Sequence, residues 1–357
     1  MSIRRLSPTA ALALTLAAAG AAQAQQPESK EHDPSKPADS RPAIVLQMEN
    51  DFFSWATNED RHYTNGLRIT AVWPHSSVWI PFLDTIARHD PFVDLDGMTV
   101  RRNFIIEAGQ SIFTPNDTEV RAPILDDRPY AAWLYLGTGL QTIYESPQGG
   151  DAMMDTLVVE AGVVGRYALG EELQNSVHRL INVDEAKGWR NQLDNEPGFN
   201  INFERQYRTK PLKLFDQPSL STDVVPSFAF AVGNVATHFG FGGIFRLGQG
   251  LAVDFGPPRI RPSLPGSEAF YTKGGLAWYL FAGAEVRVVA RDIFLDGNTF
   301  DDNSPVDKKH YVGDFRAGIA FVWGATRLSY THTVRTAEFD GQDSYDQFGA
   351  VTLSFVF

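Results

Sequence analysis

Apolar and polar residues alternate with a period of two along most of the chain. At the C-terminus Val351, Leu353, Phe355 and Phe357 fall on one face, and Thr352 and Ser354 on the other. Upstream, Leu276, Trp278, Leu280, Ala282, Ala284, Val286 and Val288 oppose Ala277, Tyr279, Gly283, Glu285 and Arg287, with Phe281 interrupting the polar side. Next, Tyr311, Phe315, Ala317, Ile319, Phe321 and Trp323 oppose Asp314, Arg316 and Gly318. Such alternation marks strands with one apolar face. Charged groups in mid-strand suit a wet lumen better than the dry core of a sandwich. A soluble sandwich whose last strand happens to end on phenylalanine is the competing interpretation.

The pattern predicts strands over 43–52, 64–73, 103–113, 130–144, 155–165, 198–212, 224–234, 236–248, 275–290, 310–323, 325–336 and 345–357. Their number is even, as in single-chain bacterial barrels. Pro226 falls near a strand start, where proline is tolerated. The expected fold is therefore all-β: a twelve-stranded antiparallel transmembrane β-barrel with a short helix in an extracellular loop. With a periplasmic N-terminus, loops 53–63, 114–129, 166–197, 235, 291–309 and 337–344 are extracellular. Two periplasmic turns, 74–102 and 249–274, are long, and Val78 to Arg88 is expected to form a short interfacial helix.

The N-terminus adds a destination. Arg4 and Arg5 precede an apolar run from Ala10 to Ala19, too short to span a bilayer, and Ala22-Gln23-Ala24 is a small-x-small cleavage site. This divides the chain into a signal peptide (1–24), a polar, Pro-rich disordered periplasmic tail (25–42) and the barrel (43–357), bound for the bacterial outer membrane. After the signal no run of about 18 apolar residues occurs, which excludes a transmembrane helix. The net charge of −12 is no nucleic-acid footprint. The absence of cysteine excludes a disulfide scaffold and thiol catalysis.

The strongest helical pattern is Gly170 to Ile181, with Leu173, Val177, Leu180 and Ile181 as an apolar stripe and Glu171 and Glu172 in the first turn. Gln174 and His178 stand at i and i+4, on one side of the helix. Packing of the stripe on the barrel rim would turn both toward the junction of helix and wall; the alternative is a loop histidine without a task. In the first strand Ile44, Leu46 and Met48 read as outward, so Gln47, Glu49 and Asp51 read as inward. In the second, Leu67, Ile69, Ala71 and Trp73 read as outward, so Thr64 and Arg68 read as inward. Glu160, on the strand leading into the helix loop, also reads as inward. A rim carboxylate such as Asp51 or Glu160, with carbonyl and amide oxygens nearby, suits Ca²⁺, a hard cation that takes six to eight oxygens. It equally suits polar filler that hydrates a lumen. No G-x-S-x-G elbow, H-E-x-x-H motif or zinc spacing is present.

These segments carry a resemblance. Glu49-Asn50-Asp51-Phe52, Asp60-Arg61-His62-Tyr63-Thr64-Asn65-Gly66-Leu67, Gly109-Gln110-Ser111-Ile112-Phe113-Thr114-Pro115, Asp127-Arg128-Pro129-Tyr130-Ala131, Gly170 to Ile181, and Gly188-Trp189 with Gln192-Leu193 and Glu196 together resemble the lipid A 3′-O-deacylase (LpxR) family. The order N-D, Y-T-x-G, Q-N-x-x-H makes the resemblance specific. It implies a twelve-stranded outer-membrane barrel that is a Ca²⁺-dependent esterase, removing the 3′ acyloxyacyl chain of lipid A by a mechanism like that of secreted calcium-dependent phospholipases. By that resemblance His178 would be the general base and Asp51 would help hold the metal. Asn50, Thr64 and Gln174 would complete the polar shell. The family's functional lysine in the second extracellular loop has no counterpart, since no lysine occurs between Lys36 and Lys187. Arg121 or Arg128 would take its place at a lipid A phosphate. An esterase on another outer-leaflet lipid, and a non-enzymatic narrow porin or structural barrel, are the alternatives.

Overall fold

The computed structural model describes residues 41–53, 62–74, 85, 97–146, 150–214, 220–258, 275–301, 306–342 and 344–357. The expected signal peptide, all but the end of the tail, and the interfacial helix apart from Thr85 lie outside the described residues.

Twelve long antiparallel strands close into a ring: β1 (Ala43–Asn50), β2 (His62–Pro74), β3 (Thr99–Thr114), β4 (Ala131–Glu145), β5 (Ala152–Val164), β6 (Glu196–Arg208), β8 (Ser221–Gly233), β9 (Ala236–Gln249), β10 (Leu276–Asp292), β11 (Tyr311–Trp323), β12 (Thr326–Arg335) and β13 (Asp346–Val356). A two-residue strand, β7 (Leu212–Lys213), pairs only with the start of β8. The first strand pairs with the last from Ala43↔Val356 to Asn50↔Gly349, which removes the free edge. The second seam, β6 with β8, runs only from Asn200↔Gly233 to Gln206↔Ser227. Pro226 stands just beyond it, not at the strand start, where no ladder bond to β6 is asked of it.

The side-chain parity follows the alternation. In β10, Tyr279, Phe281, Glu285 and Arg287 are buried while Leu276, Leu280, Val286 and Val288 are exposed outside. The interior holds paired charges. Arg246 grips Asp223 through two bonds of 2.8 and 2.6 Å and Asp254 at 2.7 Å, and Tyr279 donates to Asp254 at 2.8 Å. Their desolvation is offset only because each is paired and hydrogen-bonded. At the end away from the termini the lumen is filled by Tyr63, Phe113, Trp133, Tyr135, Phe348 and, from the short helix α2 (Ile293–Asp296), Ile293 and Phe294. Phe113 and Phe294 stack with centroids 4.0 Å apart.

A candidate active site on the outer face of the wall

The loop between β5 and β6 carries helix α1 (Gly170–Ile181), with the ends the sequence pattern predicts. Asn182 closes it in the left-handed region at φ 59°, its N–H turned back to Arg179 and that of Val183 to the His178 carbonyl. Gly165 (φ +94°) turns the chain from β5 into this loop, and a Cβ there would lie 2.6 Å from the Asp194 carbonyl oxygen. Glycine is therefore required at this turn.

The helix lies outside the barrel. Along β3 and β4, Ile106 and Leu136 are exposed, so Ile112 and Ala132, of the same parity, also face outward. Both are nevertheless fully buried, under Ala168, Ala186, Trp189 and Leu173. A Cβ on Gly170 would sit 2.6 Å from the Ala132 methyl, so the helix rests directly on the wall. Gln110, also outward, donates to the Ala168 carbonyl.

What faces the wall differs from the expected apolar stripe. Leu173 packs there, but Leu180 is 70% exposed. The buried positions are Gln174, Asn175 and His178, exposed by only 4, 8 and 4%. A buried polar group must be hydrogen-bonded, and the returning chain supplies the partners. His178 Nδ1 lies 2.6 Å from the Asp184 carbonyl oxygen. Asn175 accepts from the Ala186 N–H at 2.9 Å and donates to the Ala186 carbonyl at 3.4 Å. The Trp189 indole N–H donates to Gln174 Oε1 at 2.8 Å. A carbonyl only accepts, so Nδ1 carries the proton and Nε2 is the basic nitrogen of the neutral ring.

The neighbouring strands bring the N-D and Y-T-x-G residues to the same side of the wall. Asn50 ends β1 with the outward parity of Met48, and its amide donates to the Thr64 carbonyl at 2.9 Å. Thr64 is not inward, contrary to expectation. The β2–β3 register shifts between Tyr63 and Asn65, and this bulge sends Thr64 to the outer side, where its hydroxyl meets that of Thr114 at 2.7 Å. Asp51 is not an inward strand residue either. The strand stops at Asn50, and buried Asp51 opens a 3-10 turn, Asp51–Phe53, that crosses onto the outer face. There Phe53 abuts Gly349 and its carbonyl accepts from Tyr330 Oη at 2.8 Å. Glu160 does point inward as expected, but that places it on the other side of the wall from His178. It sits among Asn200, Glu107 and Arg68 in the lumen.

The two arginines offered for the absent lysine part ways. Arg128 is buried, bonded to Glu338 at 2.9 Å and set over the rings of Phe113 and Phe339. Arg121 is exposed, and its carbonyl holds the side chains of Arg190 and Asn191. Trp189, Asn175 and Thr114, which the sequence shows only within the stretches of the family resemblance, also belong to this site. Among the described residues no three His, Cys, Asp or Glu side chains gather as a metal cluster.

Fold and site together define a closed outer-membrane β-barrel with a polar centre between a loop helix and its outer wall. The chain matches the family of outer membrane protein LpxR over residues 9–357 and belongs to it. LpxR from Salmonella typhimurium superposes with a TM-score of 0.68 at 20% identity, covering 88% of this chain and 100% of that one. More distant barrels include the β domain of the Bordetella autotransporter BrkA (TM-score 0.47, 11% identity, 89% of this chain and 100% of that). The COG4313 outer membrane channel from Pseudomonas putida F1 is also distant (0.42, 13%, 92% and 100%). No curated protein sequence matches the chain.

Proposed function

We propose that this protein is a Ca²⁺-dependent esterase that removes a 3′-linked acyl (acyloxyacyl) chain from lipid A in the outer leaflet. The observation that carries the reading is a buried imidazole, its tautomer held by the Asp184 carbonyl, on the lipid side of the wall. A lumen site would not meet a membrane lipid, whereas the outer face of the wall is the side turned to the bilayer. Exposed Tyr167, Leu169, Leu180 and Val183 on and around the helix continue the apolar surface of Leu134 and Leu136, which suits acyl chains.

The chemistry follows from the groups. Nε2 of neutral His178 takes a proton from water as the water oxygen adds to the ester carbonyl carbon, and the carbonyl electron pair moves onto its oxygen. On collapse the acyl C–O bond breaks and the imidazolium returns the proton to the leaving sugar alkoxide, giving a free fatty acid and a sugar hydroxyl. No covalent nucleophile is needed, in keeping with the missing serine elbow.

Where β1 ends, the Asp51 carboxylate follows Asn50, whose amide is joined to the Thr64 carbonyl at 2.9 Å, so the side-chain and backbone donors available are oxygens. That set fits a hard cation in kind, with the remaining ligands coming from backbone, water and substrate oxygens. Bound there, Ca²⁺ would act as Lewis acid on the ester. The lumen, filled by Phe294 and its neighbours at one end and by the Arg246 pairs lower down, speaks against a porin.

The test is purified, folded barrel with lipid A and, in parallel, phospholipid vesicles. Fatty acid released from lipid A alone supports the reading. Release from phospholipid alone would reassign the substrate. Current steps in planar bilayers with no hydrolysis would favour a channel.

A further inference from the structure

The Trp189 contact fixes more than the position of the Gln174 side chain. An indole N–H only donates, so the group facing it at 2.8 Å is the amide oxygen, and the amide cannot be turned over without losing that bond. The NH₂ group is thereby set on the other branch of the amide. It is buried and without a hydrogen-bond partner, although Gln174 is only 4% exposed. An unsatisfied buried donor is costly and uncommon in a native structure. Here it stands one helical turn from His178, on the same side of the helix. A donor held ready, dry and beside the base is what a developing oxyanion requires, because its reorganisation is already complete.

We propose that the Gln174 NH₂ donates to the ester carbonyl oxygen as it becomes an oxyanion, and that Trp189 is a positioning residue that turns the NH₂ toward it. This rests on the esterase reading above. Trp189 acts only through Gln174; its ring also packs on Tyr130, with centroids 5.0 Å apart, and that packing survives in phenylalanine.

The test is a double-mutant cycle on the full-length barrel with Ca²⁺ and lipid A, folding followed by heat-modifiable migration. Gln174→Met should lower kcat by roughly 10²-fold, the usual loss for one oxyanion donor, with KM and the Ca²⁺ requirement little changed. Trp189→Phe should lower kcat by at least about 10-fold, again without a comparable rise in KM. In the Gln174→Met background, Trp189→Phe should cost nothing further. Gln174→Glu, which keeps an oxygen for the indole and loses the donor, should match Gln174→Met and serves if the phenylalanine variant does not fold. Equal factors for Trp189→Phe in both backgrounds, or full activity of folded Gln174→Glu, would overturn the assignment. A folded parent that cleaves no ester at all would overturn the esterase reading itself, and the assignment with it.

Discussion

The Nδ1 atom of His178 lies 2.6 Å from the carbonyl oxygen of Asp184, six residues further along the chain. The bond is local in sequence, yet it decides which ring nitrogen is basic. It exists because the chain after α1 doubles back along the helix and is latched to Asn175 at Ala186. His178→Ala should abolish turnover while heat-modifiable migration of the barrel persists. Asn175→Ala should lower kcat in part, since it loosens the latch by about 1–3 kcal/mol without touching the ring. Residual full activity in His178→Ala would remove it from the chemistry.

Asp51 is a carboxylate placed where the chain crosses from β1 onto the outer face. Asp51→Asn should shift the Ca²⁺ activation curve to higher concentration and leave KM for lipid at saturating Ca²⁺ nearly unchanged. Superimposable Ca²⁺ curves for variant and parent would take Asp51 out of the metal's surroundings.

The fold was legible in the alternation because strand parity has only two answers and charges in mid-strand tell which face is wet. In β10 and β11 Glu285, Arg287, Asp314 and Arg316 are buried inside as read. The helix was legible for the same reason, from its period. The junction of helix and wall was legible from the i, i+4 spacing of Gln174 and His178, but the side of the wall taken by Thr64 and Asp51 was not. Thr64 was put in the lumen because one extra residue in β2, invisible to alternation, reverses parity beyond it. Ile112 reads as an ordinary lipid-facing residue, and nothing local says that Trp189, remote in sequence, covers it. Glu160 has the right chemistry, but it points into the lumen and a wall of strands separates it from the helix.

Arg128 and Arg121 separate structure from recognition. Arg128→Ala takes a 2.9 Å partner from buried Glu338, which keeps Arg335 at 3.2 Å, and removes the guanidinium from the Phe113 and Phe339 rings, so it should cost about 1–3 kcal/mol and lower the temperature at which heat-modifiable migration is lost. Arg121→Ala, at an exposed position, should leave that temperature unchanged and raise KM for phosphorylated lipid A. The opposite pattern would reverse the two assignments.

Asp127 ties the second extracellular loop to the start of β2. Burial opposes its ionisation, but the His62 ring 3.6 Å away and hydrogen bonds from the N–H groups of Asn116 and Arg128 outweigh it and hold the carboxyl below its ordinary value. A depressed folded value means stabilisation that is complete above the unfolded carboxylate value, about 3.9, and lost as pH falls through the folded one. Exchange protection of the Asn116 and Arg128 amides should therefore hold from about pH 7 to pH 5 and fall only below about 4. Asp127→Asn should weaken it already at neutral pH. Protection lost by about pH 6 in the parent would contradict this account of the lock.

In the proposed reaction an imidazole on the outer wall, with Ca²⁺, cuts an ester of lipid A. Mass spectra of lipid A from membranes bearing the parent protein or folded His178→Ala, each with Ca²⁺ or with chelator, test it most directly. Loss of the mass of the 3′ acyloxyacyl group is expected in the parent with Ca²⁺, and intact lipid A in the other three samples. Intact lipid A in all four, or equal loss with chelator present, would contradict it.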